Sequence, residues 1–341
     1  MSNKIKFAIV GCGSIGKRHI AVLDAEPEAE IVAICDVDEK KCIEQSALYQ
    51  NIPYYTSYEK MLSEIKADVI NIVTPHALHA PMAIAAANHQ FNVLVEKPMA
   101  LTMTDCNRMN EAADKNNVKL WVVKQNRHNV PVKLTKDAID KGMLGKIFMI
   151  KCDILWNRYQ GYYDESPWRG KKNEEGGALF TQASHFIDLL VWWCGDVTEV
   201  KAMMETQNHN IQTEDSGSAV LKFSSGTLGS INWTTCVYNK NYEGSITIVG
   251  EFGTIKIGGQ YLNKIEFWDV RGYPLQEGIE FTDKPNAYGK YQGTSSNHDK
   301  VIKTIIGTLE NKNVSVSAVE GFEGMRCVDA IEKMYNSLKS K

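Results

Sequence analysis

Lys4-Ile5-Lys6-Phe7-Ala8-Ile9-Val10 runs directly into Gly11-Cys12-Gly13-Ser14-Ile15-Gly16, and this junction decides the fold. The apolar run at 4–10 reads as a buried strand, and 14–24 carries a helical pattern. A second apolar run at 31–36 ends in Asp36. Strand, glycine turn, helix, strand and acid, in that order, form the fingerprint of a dinucleotide-binding βαβ unit. The glycines let the backbone approach a pyrophosphate, which sits on the positive end of the helix. Gly11, Gly13, Ser14, Ile15 and Gly16 are thus candidate cofactor contacts. Asp36 can accept hydrogen bonds from ribose hydroxyls, and its charge would repel a 2′-phosphate. Val37 and Asp38 follow it, with no Arg to hold such a phosphate, so NAD is expected rather than NADP. The plainer alternative is a βαβ domain that has lost its ligand.

Outward from this unit, short apolar runs alternate with amphipathic segments to about residue 125, which signals a parallel sheet. Asp38 is placed to cap a helix running to Leu48, and Thr56 with Glu59 forms a capping box before a shorter one. Runs at 68–73, 92–95 and 120–123 read as strands, with an Ala-rich helix at 80–88. The texture changes near Gln125. A helix is expected at 131–142, ended by Gly145. β-prone stretches follow at 147–156, 197–205, 218–223, 227–233, 245–249 and 264–268, with hairpin turns at 224–226 and 251–253. One apolar helix, 178–193, sits among them, and helical segments from about Asn297 and Val319 close the chain. The expected fold is α/β. An N-terminal Rossmann domain, 1–125, precedes an α+β domain, 126–341, on a large, mostly antiparallel open sheet.

The 341 residues fit two domains rather than one core. A formal charge of −3 gives no basic field for nucleic acid or an anionic membrane, so neither is expected as a partner. The 8 cysteines form no C-x-x-C pair and none lies beside a His at ligand spacing, so no metal is expected. Scattered single thiols point to a reducing compartment. The polar stretch from Met1 to Lys6 lacks an apolar signal core, and no window approaches a membrane span. A cytoplasmic protein is the expectation.

Two stretches carry candidate chemistry. Glu96-Lys97-Pro98 follows the apolar strand at 93–95, at the carboxyl end where open parallel sheets bind ligands. Lys97 there can stabilise developing alkoxide charge, and Pro98 fixes the turn. Taken alone, a surface Lys paired with Glu96 is the simpler account. The second stretch is Glu175-Gly176-Gly177-Ala178-Leu179-Phe180-Thr181-Gln182-Ala183-Ser184-His185-Phe186-Ile187-Asp188. Its two glycines allow backbone to approach a ligand. Thr181 and His185 share a helix face, with Gln182 three residues from His185. Polar groups on so apolar a helix need partners. A His bonded to Asp188 or to backbone would also satisfy that need. The combination with Lys97 favours the catalytic reading.

At these residues the chain resembles the Gfo/Idh/MocA oxidoreductase family. The likeness covers the glycine fingerprint, Thr74-Pro75 with His79, Glu96-Lys97-Pro98 and the glycine-to-histidine helix. It implies Lys97 and His185 as the catalytic pair, with Thr74, Pro75, His79, Glu96 and Gln125 at the cofactor. It also implies a sheet used for oligomerisation, hence a homodimer or homotetramer. Inositol-dehydrogenase-like members usually carry Asp four residues before the His; here that residue is Thr181, which argues against a polyol. Tyr162-Tyr163 through Trp168-Arg169-Gly170, with 182–185 and 241–250, looks like the branch oxidising UDP-N-acetylglucosaminuronic acid at C3 for bacterial surface polysaccharide. Such an anionic sugar nucleotide calls for cationic and aromatic groups. Arg158, Tyr162, Tyr163, Trp168 and Arg169 are candidates, the last two also lying against the nicotinamide in this reading, with Asn126, Thr181, Gln182 and Ser184 alongside. A 2-keto acid such as 2-oxoglutarate is the implied hydride acceptor. His19, His89, His209 and His298 have no supporting constellation and read as surface or structural residues. UDP-N-acetylglucosamine is the nearest alternative substrate. An NAD-dependent glycosidase and a non-catalytic NAD sensor are the rivals of other classes. A sensor would need neither Lys97 nor His185.

Overall fold

The computed structural model describes residues 4–281, 284–287 and 292–338; residues 1–3 of the polar N-terminal stretch lie outside them. The chain forms two compact units, Met1–Val123 with His298–Met325, and Lys124–Asn297 with Arg326–Lys341. A single cut after 125 therefore misses the return of 298–325 to the first unit.

The first unit alternates strands and helices: β1 (Ile5–Val10), α1 (Ser14–Asp24), β2 (Ala29–Cys35), α2 (Glu39–Leu48), β3 (Tyr54–Tyr55), α3 (Tyr58–Glu64), β4 (Val69–Ile72), α4 (His79–Asn88), β5 (Asn92–Val95), α5 (Met103–Lys115) and β6 (Leu120–Val122). The strands pair in parallel in the order β3-β2-β1-β4-β5-β6. Asp38 caps α2, its side chain accepting from Lys40 N–H at 3.2 Å. The cap of α3 is Ser57 rather than Thr56; it accepts from Lys60 N–H at 3.3 Å. One residue's shift in phase decides which hydroxyl meets the orphan amide. Phe7, Ile9, Ile34, Leu94 and Trp121 form the core. Val301, Ile302, Ile305 and Ile306, from the helix beginning at His298, join the same core. Each such aliphatic side chain is worth about 1.5–3 kcal/mol relative to exposure, enough to fix where that helix belongs.

The second unit continues with α6 (Val130–Asp140), β7 (Ile147–Leu155), α7 (Gln160–Asp164), α8 (Ser184–Cys194), β8 (Val197–Glu205), β9 (Ser216–Phe223), β10 (Leu228–Thr234), β11 (Glu243–Gly250), β12 (Gly253–Gly258), β13 (Lys264–Val270), β14 (Pro285–Ala287) and β15 (Gln292–Ser295). Two helices follow, α9 (His298–Leu309) in the first unit and α10 (Gly321–Ser337), most of which lies in the second. Seven strands make one sheet, ordered β13-β12-β11-β7-β10-β9-β8, antiparallel except for the β7–β10 pair. The turns at 224–226 and 251–253 join antiparallel neighbours as the sequence suggests. The apolar helix is not uniform: residues Leu179–Ala183 form a π-helical turn before α8 begins.

Candidate active site

In the first unit the three fingerprint glycines have different duties. A Cβ on Gly11 would meet Val73 O at 2.7 Å, and one on Gly16 would collide with Gly11 O. Those two glycines are required by packing. A Cβ on Gly13 would meet nothing within 4 Å. Gly13 is the N-cap of α1, without a side-chain cap, while Ser14 is exposed and Ile15 half-buried. The open cradle at a helix N-terminus fits the pyrophosphate of a dinucleotide. Asp36 is half-buried at the end of β2. It accepts from Cys12 N–H at 2.7 Å and Asp38 N–H at 2.9 Å. The glycine turn and Asp36 are thereby tied together.

The ends of β4 and β5 are stitched by buried polar groups. His79 is fully buried, with Nδ1 2.7 Å from Pro98 O and Nε2 2.9 Å from Thr74 O. Burial pushes its ring toward the neutral form against the pull of the two carbonyls, and a neutral ring donates to one of them at a time. His79 thus shapes the loops at Thr74-Pro75 and Pro98 from within rather than facing a ligand. Glu96 is likewise internal, 5% exposed. Its Oε1 lies 2.9 Å from His19 Nε2 and 3.4 Å from His298 Nε2, and its Oε2 accepts from Lys97 N–H at 3.0 Å. Burial opposes the charge, but the two histidines outweigh it and hold the carboxyl well below the usual range. Asn71 Nδ2 sits 2.8 Å from His19 Nδ1, so an amide proton donated there leaves the His19 proton on Nε2, facing Glu96. His19 and His298 are thus buried members of a cluster around the Lys97 backbone. Positions 19, 96 and 298 share no spacing signal, so the sequence hides this. Lys97 itself is half-buried.

In the second unit the helix of His185 is anchored through Asp188. Asp188 accepts from Arg127 Nε at 2.8 Å and Nη2 at 2.9 Å, and lies 3.4 Å from Lys124 Nζ. Both Asp188 oxygens are thus engaged by cations, which argues against Asp188 as the partner of His185. This triad fixes α8 to the 3-10 turn Gln125–His128. Gln125 and Asn126 on that turn are 2% exposed, and Asn126 Oδ1 accepts from Thr294 and Ser295 hydroxyls at 2.7 and 2.9 Å. The π-turn changes the expected α-helical phase between Thr181 and His185. Thr181 Oγ1 donates to Gly177 O at 3.0 Å, and Gln182 Nε2 to Tyr162 Oη at 3.4 Å. Ser184 is fully buried and His185 is 5% exposed.

Aromatic and cationic groups gather around Tyr162. The Tyr162 ring has the Arg169 guanidinium 4.1 Å and the Arg158 guanidinium 5.3 Å from its centroid. Arg169 Nη1 donates to Tyr162 O at 2.8 Å, while Arg158 Nη1 donates to Asn157 O and Asn241 Oδ1. Arg158, 4% exposed, spends hydrogen bonds on the protein; half-buried Arg169 and Trp168 are the more accessible pair. Tyr163 Oη meets Thr235 Oγ1 at 3.1 Å, and burial pushes its pKa up. His209 is buried beside Tyr163, with Nδ1 2.9 Å from Asp215 Oδ2 and Nε2 2.7 Å from Arg158 O. Burial opposes the Asp215 charge, but N–H groups of 207, 208 and 209 pull that carboxyl down to about 2. His209 is thus a buried strut of the 158–163 segment. Cys236 Sγ lies 3.9 Å from its Nδ1, a proximity that residue spacing conceals.

Residues 5–124 match the oxidoreductase family with an NAD-binding Rossmann fold, and residues 132–256 match the GFO/IDH/MocA C-terminal domain. The chain belongs to the Gfo/Idh/MocA oxidoreductase family. It is an enzyme of that family, and its cofactor is NAD. This Gfo/Idh/MocA chain is 36% identical to the WlbA dehydrogenase of Bordetella pertussis, solved with NADH and UDP-GlcNAcA. The alignment covers 99% of this chain and 97% of that one, at a TM-score of 0.88. A WlbA dehydrogenase from Chromobacterium violaceum, also solved with NADH and UDP-GlcNAcA, is 35% identical over 100% and 95% of the chains, with a TM-score of 0.90. The 1-carboxy-3-chloro-3,4-dihydroxycyclohexa-1,5-diene dehydrogenase of Comamonas testosteroni is 27% identical over 72% of this chain, a match spanning 62% of that protein.

Proposed function

We propose that this enzyme oxidises the C3 hydroxyl of UDP-N-acetylglucosaminuronic acid to the 3-keto sugar nucleotide, in diamino-sugar synthesis for bacterial surface polysaccharide. One observation carries the proposal: end-to-end likeness at 35–36% identity to two dehydrogenases solved with NADH and that sugar nucleotide. The Arg169–Tyr162 stack and accessible Trp168 supply the cationic and aromatic surface an anionic nucleotide needs.

In the reaction the C3–H pair leaves as hydride and the O–H proton leaves to a base. NAD⁺ takes the hydride when bound. His185 and Lys97 divide the rest, one accepting the hydroxyl proton and the other stabilising the oxygen. The open space at Gly13 supports a pyrophosphate contact there, and Asp36, at the end of β2 beside the glycine turn, is our candidate for the ribose. We further propose a cytoplasmic homodimer or homotetramer and 2-oxoglutarate as the acceptor that regenerates NAD⁺. Support for assembly comes from the exposed sheet face, where Met149, Val220 and Leu228 stay open among Lys151 and Lys222.

The test mixes protein, NAD⁺ and UDP-N-acetylglucosaminuronic acid, with and without 2-oxoglutarate, and follows NADH absorbance and product mass. Loss of two hydrogens from the intact sugar nucleotide is expected. An unchanged sugar nucleotide, or equal turnover of UDP-N-acetylglucosamine, whose sugar lacks the carboxylate, overturns the substrate assignment.

A further inference from the structure

Glu214 lies against the start of the helix that carries His185, and no step proposed above uses it. It is 6% exposed, in the segment before β9. Its Oε1 accepts from Leu179 N–H at 2.9 Å. Its Oε2 lies 2.6 Å from Tyr335 Oη, on α10, and the same phenol oxygen lies 3.0 Å from Gly176 O. A Cβ on Gly177 would collide with Glu214 Oε2 and meet Tyr335 Oη at 2.5 Å. Gly177 also has a φ of +116°. Gly177 therefore makes room for an internal carboxyl, where the sequence suggests room for a ligand.

The proton count of these contacts favours the neutral acid. A phenol has one proton, and a backbone carbonyl can only accept. If Glu214 is a neutral acid protonated on Oε2, each contact pairs a donor with an acceptor. Glu214 O–H donates to Tyr335, Tyr335 donates to Gly176 O, and Leu179 N–H donates to Oε1. If Glu214 is an anion, the single phenol proton cannot serve both Gly176 O and the carboxylate. One buried acceptor then faces oxygen lone pairs. The titratable groups facing Glu214 are Tyr335 from α10 and Glu175 from the loop before Gly176; a like charge on Glu175 opposes ionisation further.

We propose that Glu214 works as a neutral carboxylic acid and is a positioning residue, holding 176–179 through Tyr335 so that the π-turn presents His185 correctly. The effect on turnover rests on the assignment of His185 to the reaction. Burial, with Glu175 nearby, pushes the carboxyl up to about 7, consistent with the proton count. Ionisation above that pH turns the phenol proton to the carboxylate and strips Gly176 O of that donor.

The experiment compares the NADH-bound wild type with Glu214→Gln and Tyr335→Phe. Glutamine reproduces the neutral acid, its amide donating to Tyr335 and its carbonyl accepting from Leu179, but it cannot ionise. Difference infrared spectra across neutral pH should show a protonated-carboxyl stretch that vanishes near pH 7 in the wild type and is missing from Glu214→Gln. Protection of the 176–185 amides, taken relative to their intrinsic base-catalysed exchange, should fall above that pH in the wild type and stay flat in Glu214→Gln. With the sugar nucleotide, kcat should fall about five-fold across the same interval only in the wild type, the loss expected from one ordinary hydrogen bond. Tyr335→Phe should be lower at every pH, without that step. An infrared signal unchanged in Glu214→Gln, or a pH-dependent exchange step that survives in it, overturns the proposal. The first two readouts need no sugar substrate, so a wrong substrate assignment would leave them intact.

Discussion

Removing Arg127 tests how the His185 helix is held. Arg127, Lys124 and Asp188 side chains are each at most 3% exposed. Arg127 makes two hydrogen bonds to Asp188 at 2.8 and 2.9 Å, while Lys124 stands farther off at 3.4 Å. Burial pushes the Asp188 carboxyl up, but the two cations outweigh it and hold it below the usual range. Arg127→Met keeps much of the stem and removes the fork. Asp188 then depends on the longer Lys124 contact alone. Breaking such a buried pair costs about 3–5 kcal/mol. For a unit of roughly 190 residues, 1 kcal/mol shifts Tm by about 2–4 °C, so the drop should be on the order of 10 °C. Asp188→Leu should cost at least as much, because it leaves two buried cations side by side. The double variant should lose less than the two single losses added together. The pH dependence has a definite sign. A depressed carboxyl contributes stability above its unfolded pKa, and that contribution is lost as pH falls through the folded value. The gap between wild type and Arg127→Met should therefore narrow on acidification. Calorimetric melts over a pH series decide it. A drop under about 2 °C at neutral pH, or a gap that widens in acid, refutes the reasoning.

Three further outcomes are expected. Lys97→Ala and His185→Ala should each lower kcat by ~10²–10⁴ while NADH fluorescence titration shows cofactor binding retained. Full turnover in both would remove them from the reaction. Asp36→Ser deletes a charged hydrogen-bond acceptor and should weaken NAD about ten- to hundred-fold in KM, with NADP use rising, as steady-state kinetics with both cofactors would show. Gly13→Ala should leave Tm within about 1 °C, since its Cβ meets no protein atom, yet weaken NAD in a binding titration; Gly16→Ala should destabilise the fold itself.

The first unit was legible because its signals are local. Apolar runs, glycines and caps each act within a few residues, and even the Thr56-for-Ser57 error is one step of phase. The amphipathic pattern of 298–309 announces a helix but not which core it joins; it shares its core with Ile20, Leu23 and Trp121, which are remote in sequence. The π-turn was invisible because its period is close to that of an α-helix. Site residues divide in the same way. Glu96, His79 and Arg158 have the right residue types for ligand contact, but a buried polar group needs a partner whether protein or ligand supplies it. Residue type cannot distinguish the two. The His19–Glu96 and Glu214–Tyr335 contacts join positions 77 and 121 residues apart, which no motif spans.

The two fixings of the His185 helix answer pH in opposite senses. Asp188 is an anion whose contribution fails in acid, as its folded pKa is depressed. Glu214 is an acid whose folded pKa is raised, so its contribution is full below the ordinary glutamate value and is lost as pH rises through about 7. In the folded chain the neutral form persists until about 7. Its net contribution begins to fade earlier, once the unfolded chain gives up its proton. The helix is thus best held from mildly acidic to neutral pH, bracketed by a charged lock after His185 and an uncharged one before it. Glu214→Gln should extend that interval upward and leave its acid edge where Asp188 sets it. Because one substitution moves a single edge, the two locks can be separated in one pH series of melts. If Glu214→Gln also moved the acid edge, the locks would be coupled and the assignment of one edge to each residue would fail.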